Sequence, residues 1–289
     1  MTPTRLLARW FLGALALVVA LALGAPRAGA QDLMVYDFEL TGTPAQNADQ
    51  VRGLGFKGLV TRCNNPADLP KLAAYVNHAA TLQDFQVLAY VNYDFNNPNS
   101  AQVWPQALPL LASAGAPLWV IVKNAPTPVH VRQLLLRMAQ RSQAAGVRTV
   151  LYPHWDTDIE NAAEAAAVLA QVGHPNLSNS LHTCHEIRSG NGSSISNVVA
   201  AHAASTRLVT IAGADADAYA GPPTGNPVPW SDAIRPLDQG TYDLIPFLNS
   251  LDIAGYNGPV ILHTFGITNS PGHLSRSLEA YAKLRLNLH

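Results

Sequence analysis

Two hydrophobic rhythms alternate along the chain. Short contiguous apolar or β-branched runs are followed by longer stretches in which apolar residues recur every three to four positions. The first pattern reads as a strand buried on both faces, the second as a helix with one buried stripe. The unit is plainest between Gly146 and Gly190. Gly146-Val-Arg-Thr-Val-Leu-Tyr-Pro-His154-Trp-Asp156 opens it, Ile159 to Val172 has helical spacing, and Leu177-Ser-Asn-Ser-Leu-His182-Thr-Cys-His185-Glu-Ile-Arg188 closes it. Both apolar runs stop on histidine. Polar side chains at the C-terminal ends of strands mark the edge where α/β folds bind ligands.

The same unit repeats throughout. Strands are predicted over Leu33 to Phe38, Gly58 to Arg62, Gln86 to Asn92, Leu118 to Lys123, the runs ending near His154 and His182–His185, Arg207 to Ala212, and Pro259 to His263. Thr43-Pro44 and Ser270-Pro271 have the cap-then-proline form of helix starts. Further helices are predicted from Pro66 to Leu82, up to Ser113 with Pro105 near the start, from Thr127 to Ala145, from Gly192 to Ala204, and from Thr241 until Gly255 stops it. Gly213 to Pro236 is too long for a plain connection, which marks it as functional or mobile. Eight strands alternating with eight helices predict an α/β fold, a (β/α)8 TIM barrel. A doubly wound open sheet fits less well, because no Gly-x-Gly-x-x-Gly follows the first strand.

The first thirty residues do not fit this rhythm. Arg5 and Arg9 precede an apolar run from Phe11 to Leu23, and Ala28-Gly-Ala30 gives a small-x-small cleavage site before Gln31. The run is short for a membrane span. Residues 1–30 read as a signal peptide and 31–289 as one barrel domain, exported to the periplasm or beyond, with no stable membrane insertion after cleavage. The remainder is close to the length of about 250 residues typical of one such barrel. Formal net charge is −1 and charged residues are 13%, so no basic surface for nucleic acid is expected. Of the two cysteines, Cys63 and Cys184, each falls near a strand end on opposite sides of a barrel. Two free buried thiols are therefore expected rather than a disulfide.

Polar residues at the strand ends are the candidate chemistry. His154, His182, His185 and His263 fall after the fifth, sixth and eighth strands, and their imidazoles can converge in a barrel. His154 and His185 are assigned to proton transfer or substrate hydroxyls. Glu186 is a candidate base, and Lys123 a candidate Schiff-base amine or a partner for a carboxylate. Asp37, Arg62, Asn92, Trp155 and Asp215 are candidate substrate contacts, with Tyr93 and Trp230 joining Trp155 as stacking faces for a sugar ring.

Leu-Tyr-Pro-His154-Trp, Pro175-Asn-Leu-(x)4-His182-Thr-Cys-His185, Gln239-Gly-Thr-Tyr-Asp-Leu-Ile-Pro-Phe-Leu and Gly255-Tyr-Asn-Gly-Pro-Val-Ile-Leu-His263 resemble motifs of a secreted branch of the xylose isomerase-like barrels. That superfamily includes sugar phosphate isomerases and epimerases and endonuclease-IV-type proteins. The resemblance is best over strands five to eight; the first half matches only in strand rhythm. It implies a divalent metal held by Glu, Asp, His and Glu at the ends of strands five to eight, orienting sugar hydroxyls while carboxylates move a proton. Here Tyr152, His182, Ala212 and His263 stand at those positions, while His185 keeps a substrate-contacting identity. The departure puts a carboxylate site for Mg²⁺ or Mn²⁺ in doubt. Two readings stay open: a site for a softer ion such as Zn²⁺ or Co²⁺ on His154, His182 and His263, or a metal-free pocket of hydrogen-bonding imidazoles.

The expected function is isomerisation or epimerisation of a small-molecule carbohydrate by proton transfer next to a carbonyl, possible with or without a metal. A carbohydrate-binding barrel without catalysis and a glycoside lyase or hydrolase are the alternatives.

Overall fold

The computed structural model describes residues 32–215 and 229–288. The expected leader at residues 1–30 and most of the long loop after the seventh strand lie outside the described residues. Within them the chain runs β1 (Leu33–Tyr36), α1 (Pro44–Leu54), β2 (Gly58–Arg62), α2 (Leu69–Ala79), β3 (Gln86–Asp94), α3 (Ser100–Ser113), β4 (Leu118–Lys123), α4 (Pro128–Ala144) and β5 (Thr149–Leu151). It continues through α5 (Ala162–Val172), β6 (Leu177–His182), α6 (Thr183–Arg188), α7 (Ile195–His202), β7 (Thr206–Ile211), α8 (Trp230–Ala233), α9 (Ile245–Ile253), β8 (Val260–Leu262) and α10 (Pro271–Leu286). The strands form a closed barrel in sequence order. Every neighbouring pair is parallel, including β1 with β8. The expected fold is therefore the observed one.

Local chemistry accounts for the element ends. Thr43 caps α1, accepting from the Gln46 N–H while Gln46 returns a bond to the Thr43 N–H. Asn161 and Ser270 cap α5 and α10 in the same sense. At the start of β2 a Cβ on Gly58 would run into the Gln86 carbonyl and the Met34 methyl, so only glycine lets these strands close up. Both cysteines are free and buried. Among the described residues no helix is long and apolar enough to cross a membrane.

Several boundaries differ from expectation. β1 stops at Tyr36, two residues early. β3 runs on to Asp94, which pairs with Lys123 of β4. The second helix opens as a 3-10 turn over Pro66–Asp68, and the helix predicted from Gly192 becomes a 3-10 turn, α7 and another 3-10 turn. β5 is only three residues long. Tyr152 still donates to the Val120 carbonyl at 2.8 Å, but Pro153 has no N–H to continue the ladder. The consequential change comes after β6. His182 is at once the last residue of the strand and the N-cap of α6, so His185 sits one turn into a helix rather than at a strand end.

Candidate active site

The upper barrel is filled by rings. Tyr36 from β1, Trp119 from β4, Tyr152 after β5 and His182 from β6 are all buried. Trp119 and Tyr152 stack with centroids 4.5 Å apart, and Tyr152 and His182 stack at 4.0 Å, 3° from parallel. The Tyr36 hydroxyl donates to that of Tyr152 at 3.0 Å. Ser180 joins this layer to the wall. Its hydroxyl donates to the Leu151 carbonyl at 2.6 Å and accepts from the Trp119 indole at 2.9 Å. With that proton committed, Ser180 Oγ can only accept from His182 Nε2, 2.7 Å away. His182 Nδ1 is then the acceptor for the Thr210 hydroxyl at 2.9 Å. Both His182 nitrogens are satisfied by a neutral ring.

Above this floor is a cavity of about 200 Å³ whose lining includes Arg62, Asn92, His154, His185, Trp230 and His263. That is below the range of about 300–1,000 Å³ usual for drug-sized ligands, and suits one small molecule. The strands bring Arg62 and Asn92 in from β2 and β3, and His263 follows β8, its N–H on the Ile211 carbonyl at 2.8 Å.

His154 and His185 meet in the cavity wall with ring centroids 4.1 Å apart. One residue orients both. His154 Nδ1 lies 2.7 Å from the Trp155 carbonyl, and the Trp155 N–H points at His185 Nδ1 at 3.3 Å. A carbonyl only accepts, so His154 carries its proton on Nδ1 and keeps a lone pair on Nε2. An N–H only donates, so His185 carries its proton on Nε2. The two rings hold opposite tautomers, and His185 Nε2 is buried with no hydrogen-bond partner in the protein. The Trp155 loop is itself fixed by its backbone. The His154 N–H donates to the Ile159 carbonyl at 2.8 Å, the Thr157 hydroxyl donates to the His154 carbonyl at 2.6 Å, and Asp156 takes a left-handed conformation with φ 67°.

Burial lowers the pKa of all four imidazoles. It lowers that of His154, and carries those of His182 and His185 well below the ordinary value, with the neighbouring rings adding to the effect. His263 is pushed down to about 3, again by burial and then by His154. The cluster is uncharged at neutral pH. Beside it the Arg188 guanidinium sits 4.0 Å from the ring centroids of both Trp155 and Trp230, a cation–π clasp that holds α8 against α6. At Gly213 a Cβ would run into the carbonyls of Pro236 and Gln239, so glycine is needed where the chain returns from α8.

Of the residues expected at the site, Arg62, Asn92, His154, His185 and His263 line the cavity, and Trp155 orients the histidines through its backbone. The others are engaged elsewhere. Asp37 accepts from the Thr61 hydroxyl at 2.8 Å and pairs with Lys71 at 2.6 Å. Lys123 pairs with Asp94 at 3.4 Å, the carboxylate partnership rather than a Schiff-base position. Asp215 pairs with Arg235. Glu186 accepts from the Ala162 N–H and from Asn191 Nδ2, both at 2.7 Å. It braces the N-terminus of α5 and is no base for the cavity. Of the aromatic faces, Trp230 lines the cavity, whereas Tyr93 packs edge-on against Phe95 at 5.0 Å. The pattern of strand ends does not single out Arg188, the floor rings Tyr36 and Trp119, or Tyr90 in the cavity wall. Arg188 lies one helical turn past His185, and that spacing is the signal that could have found it.

The metal set implied by resemblance does not fit. Tyr152 is stacked and hydrogen-bonded to Tyr36, both nitrogens of His182 are taken, and Ala212 has no donor. The predicted trio of His154, His182 and His263 fails at His182 for the same reason. A different trio is in reach: ligand atoms of Cys184, His185 and His263 all lie within 4.8 Å of one another and are buried. Thiolate with two imidazoles is a donor set for zinc-type ions rather than for Mg²⁺ or Mn²⁺. Burial pushes the Cys184 thiol up to about 12, so an ion would have to displace its proton.

No curated protein sequence matches the chain. Among solved structures, a xylose isomerase-like TIM barrel/4-hydroxyphenylpyruvate dioxygenase fusion protein superposes with a TM-score of 0.67 at 16% identity over 88% of this chain, which spans only 43% of that protein. D-allulose 3-epimerase from Methylomonas sp. superposes with a TM-score of 0.67 at 15% identity, covering 89% of this chain and 98% of the other. The IOLI protein with a binding zinc atom gives 0.61 at 14% identity, covering 89% and 97%. At such identities these likenesses show the fold. The family profile described as xylose isomerase-like TIM barrel matches residues 89–284, well over half of the chain and the part that carries all four imidazoles. On that match, the chain belongs to the xylose isomerase-like TIM barrel family.

Proposed function

We propose that the cavity is an active site for proton transfer next to a carbonyl on a small carbohydrate, giving isomerisation or epimerisation. The observation that carries this is the pair of opposite tautomers set by Trp155. His154 Nε2 offers a lone pair to a C–H proton, and His185 Nε2–H offers a hydrogen bond to the adjacent carbonyl oxygen. His154 takes the proton, the C–H electron pair moves to the carbonyl, and the oxyanion rests on His185. Return of the proton from His154 to the adjacent carbon, with the hydroxyl proton on that carbon passing to the oxyanion oxygen, completes an isomerisation; epimerisation instead requires a proton delivered from solvent to the opposite face of the same carbon. Burial keeps both rings uncharged, so the base is free and the donor intact at neutral pH. The sugar class is supported by the likeness to D-allulose 3-epimerase and by a cavity of one-monosaccharide scale.

The test is solvent exchange. Ketoses and aldoses are incubated with the protein in D₂O, and loss of the C–H signal beside the carbonyl is followed by NMR. His154→Gln and His185→Gln should each slow exchange by about 10²–10⁴-fold, the usual contribution of acid–base groups. Exchange at the wild-type rate in either variant, or no exchange on any carbohydrate, overturns the reading. Ligand stabilisation without exchange would leave a binding barrel. The glycoside hydrolase alternative is disfavoured because no carboxylate is among the described residues lining the cavity, whereas that chemistry uses two.

Export is part of the same proposal. Arg5, Arg9 and the apolar run to Leu23 support a secretory leader. The N-terminal sequence of protein recovered from cells should begin at Gln31; an intact Met1 in the mature pool would refute it.

A further inference from the structure

The charges around the cavity are not balanced. Lys71, Lys123 and Arg235 are each paired with an aspartate. Arg62, exposed at the end of β2, lines the mouth of the cavity and has no carboxylate within ion-pair distance among the described residues. It is the single formal charge among the described lining residues, because the three histidines there are held neutral. An aqueous cavity with one unopposed guanidinium attracts an anion, and a guanidinium binds a carboxylate through two parallel hydrogen bonds.

Two further groups in the same wall lack partners. His185 Nε2 and Asn92 Oδ1 have no hydrogen bond in the protein and belong to residues that line the cavity; less than 1 Å² of each atom is exposed, so a ligand reaches them by displacing the groups that cover them. Buried polar atoms left alone cost free energy, and a ligand that satisfies them recovers it. The first needs an acceptor and the second a donor. Tyr152 in the floor and Tyr90 and Trp230 in the wall add apolar ring surface suited to the C–H face of a sugar ring.

We infer that the ligand of this cavity is a carbohydrate acid of monosaccharide size, a uronate or a keto-aldonate, rather than a neutral sugar. Its carboxylate pairs with Arg62, a hydroxyl donates to Asn92 Oδ1, and its carbonyl accepts from His185 Nε2–H. The inference names the substrate class of the site proposed above and uses its tautomer assignment. It requires binding only, not turnover.

The experiment is calorimetric titration of the full-length mature protein with matched pairs: D-glucuronate against D-glucose, D-galacturonate against D-galactose, and 2-keto-D-gluconate against D-fructose. At least one acid should bind about tenfold or more tightly than its neutral partner, with the advantage shrinking as salt is raised. Arg62→Gln should bring that ratio to about one. Asn92→Asp, which adds a carboxylate to the wall, should weaken the acid selectively, and circular dichroism checks that both variants fold. Neutral sugars binding as tightly as their acids, no acid binding at all, or an unchanged ratio in Arg62→Gln would overturn the inference. The two proposals fail separately. An acid that binds by way of Arg62 but never exchanges deuterium refutes the reaction and keeps the ligand class. Exchange on neutral sugars without preference for acids does the reverse.

Discussion

Tyr152 and His182 lie ring on ring, 4.0 Å apart and 3° from parallel, at two positions where resemblance to metal-dependent barrels leads one to expect a carboxylate pair. The contact turns a place for a cation into a packed floor. His182 is held there by Ser180 and Thr210, so its nitrogens face the wall of the barrel and not the cavity above.

This makes His182 a stability residue. His182→Ala removes a fully buried ring and leaves two hydroxyls short of a partner, and should cost about 2–4 kcal/mol in urea unfolding. His182→Phe keeps the stack and loses only the hydrogen bonds, so it should cost less than the alanine change. An alanine variant within about 0.5 kcal/mol of wild type, the range of ordinary surface changes, would contradict this role.

Acid–base behaviour should follow the depressed histidines. In the proposed reaction His154 is the free base, and burial lowers its pKa. The pH profile of kcat/KM for exchange should therefore be flat through neutrality and fall only below the ordinary histidine value of about 6.5. An acid limb centred at or above that value would mean that another group is the base.

The same burial ties stability to pH. For His182, His185 and His263 the folded-state pKa lies below the unfolded one, His263 reaching about 3. Between the two values the unfolded chain binds more protons than the folded one. The stabilisation is full above about pH 6.5 and is lost as pH falls toward the folded values. Urea midpoints measured from pH 7 down to 4 should drop steeply, and His263→Gln should flatten the slope. Equal slopes in the variant and wild type would show that His263 does not titrate on unfolding.

Zn²⁺ provides a separate check on the donor trio. Uptake of the ion by tag-free protein through Cys184, His185 and His263 requires His185 Nε2 to give up its proton and the Trp155 N–H bond to Nδ1 to yield, so exchange should slow as ion is bound. Cys184→Ala should weaken uptake, read by equilibrium dialysis with metal analysis, and relieve the inhibition. Equal uptake by the variant would place the ion elsewhere.

The barrel was legible because its signal is periodic and repeated eight times; one misplaced boundary does not change the count. The convergence of His154, His185 and His263 was legible for the same reason, since strand ends in a closed barrel share one mouth. What each polar side chain does there was not. A shift of a single residue turns a strand-end group from the cavity to the wall. Asp37 is caught by Thr61 and Lys71, and Glu186 by the start of α5. Nothing in Leu-His-Thr-Cys-His announces that β6 passes into α6 without a loop, so the sequence alone puts His185 at a strand end. The helical spacing from His185 points to Arg188, but its clasp depends on Trp155 and Trp230, which lie far apart in sequence.

The tautomers of His154 and His185 are dictated by peptide groups of Trp155, not by any side chain. Drift at that position to any residue but proline, which lacks the N–H, therefore leaves the proton arrangement untouched, whereas gain or loss of a residue between Leu151 and Ala162 would scramble it. Loop length, more than residue conservation, is the trait by which relatives sharing this chemistry should be recognised.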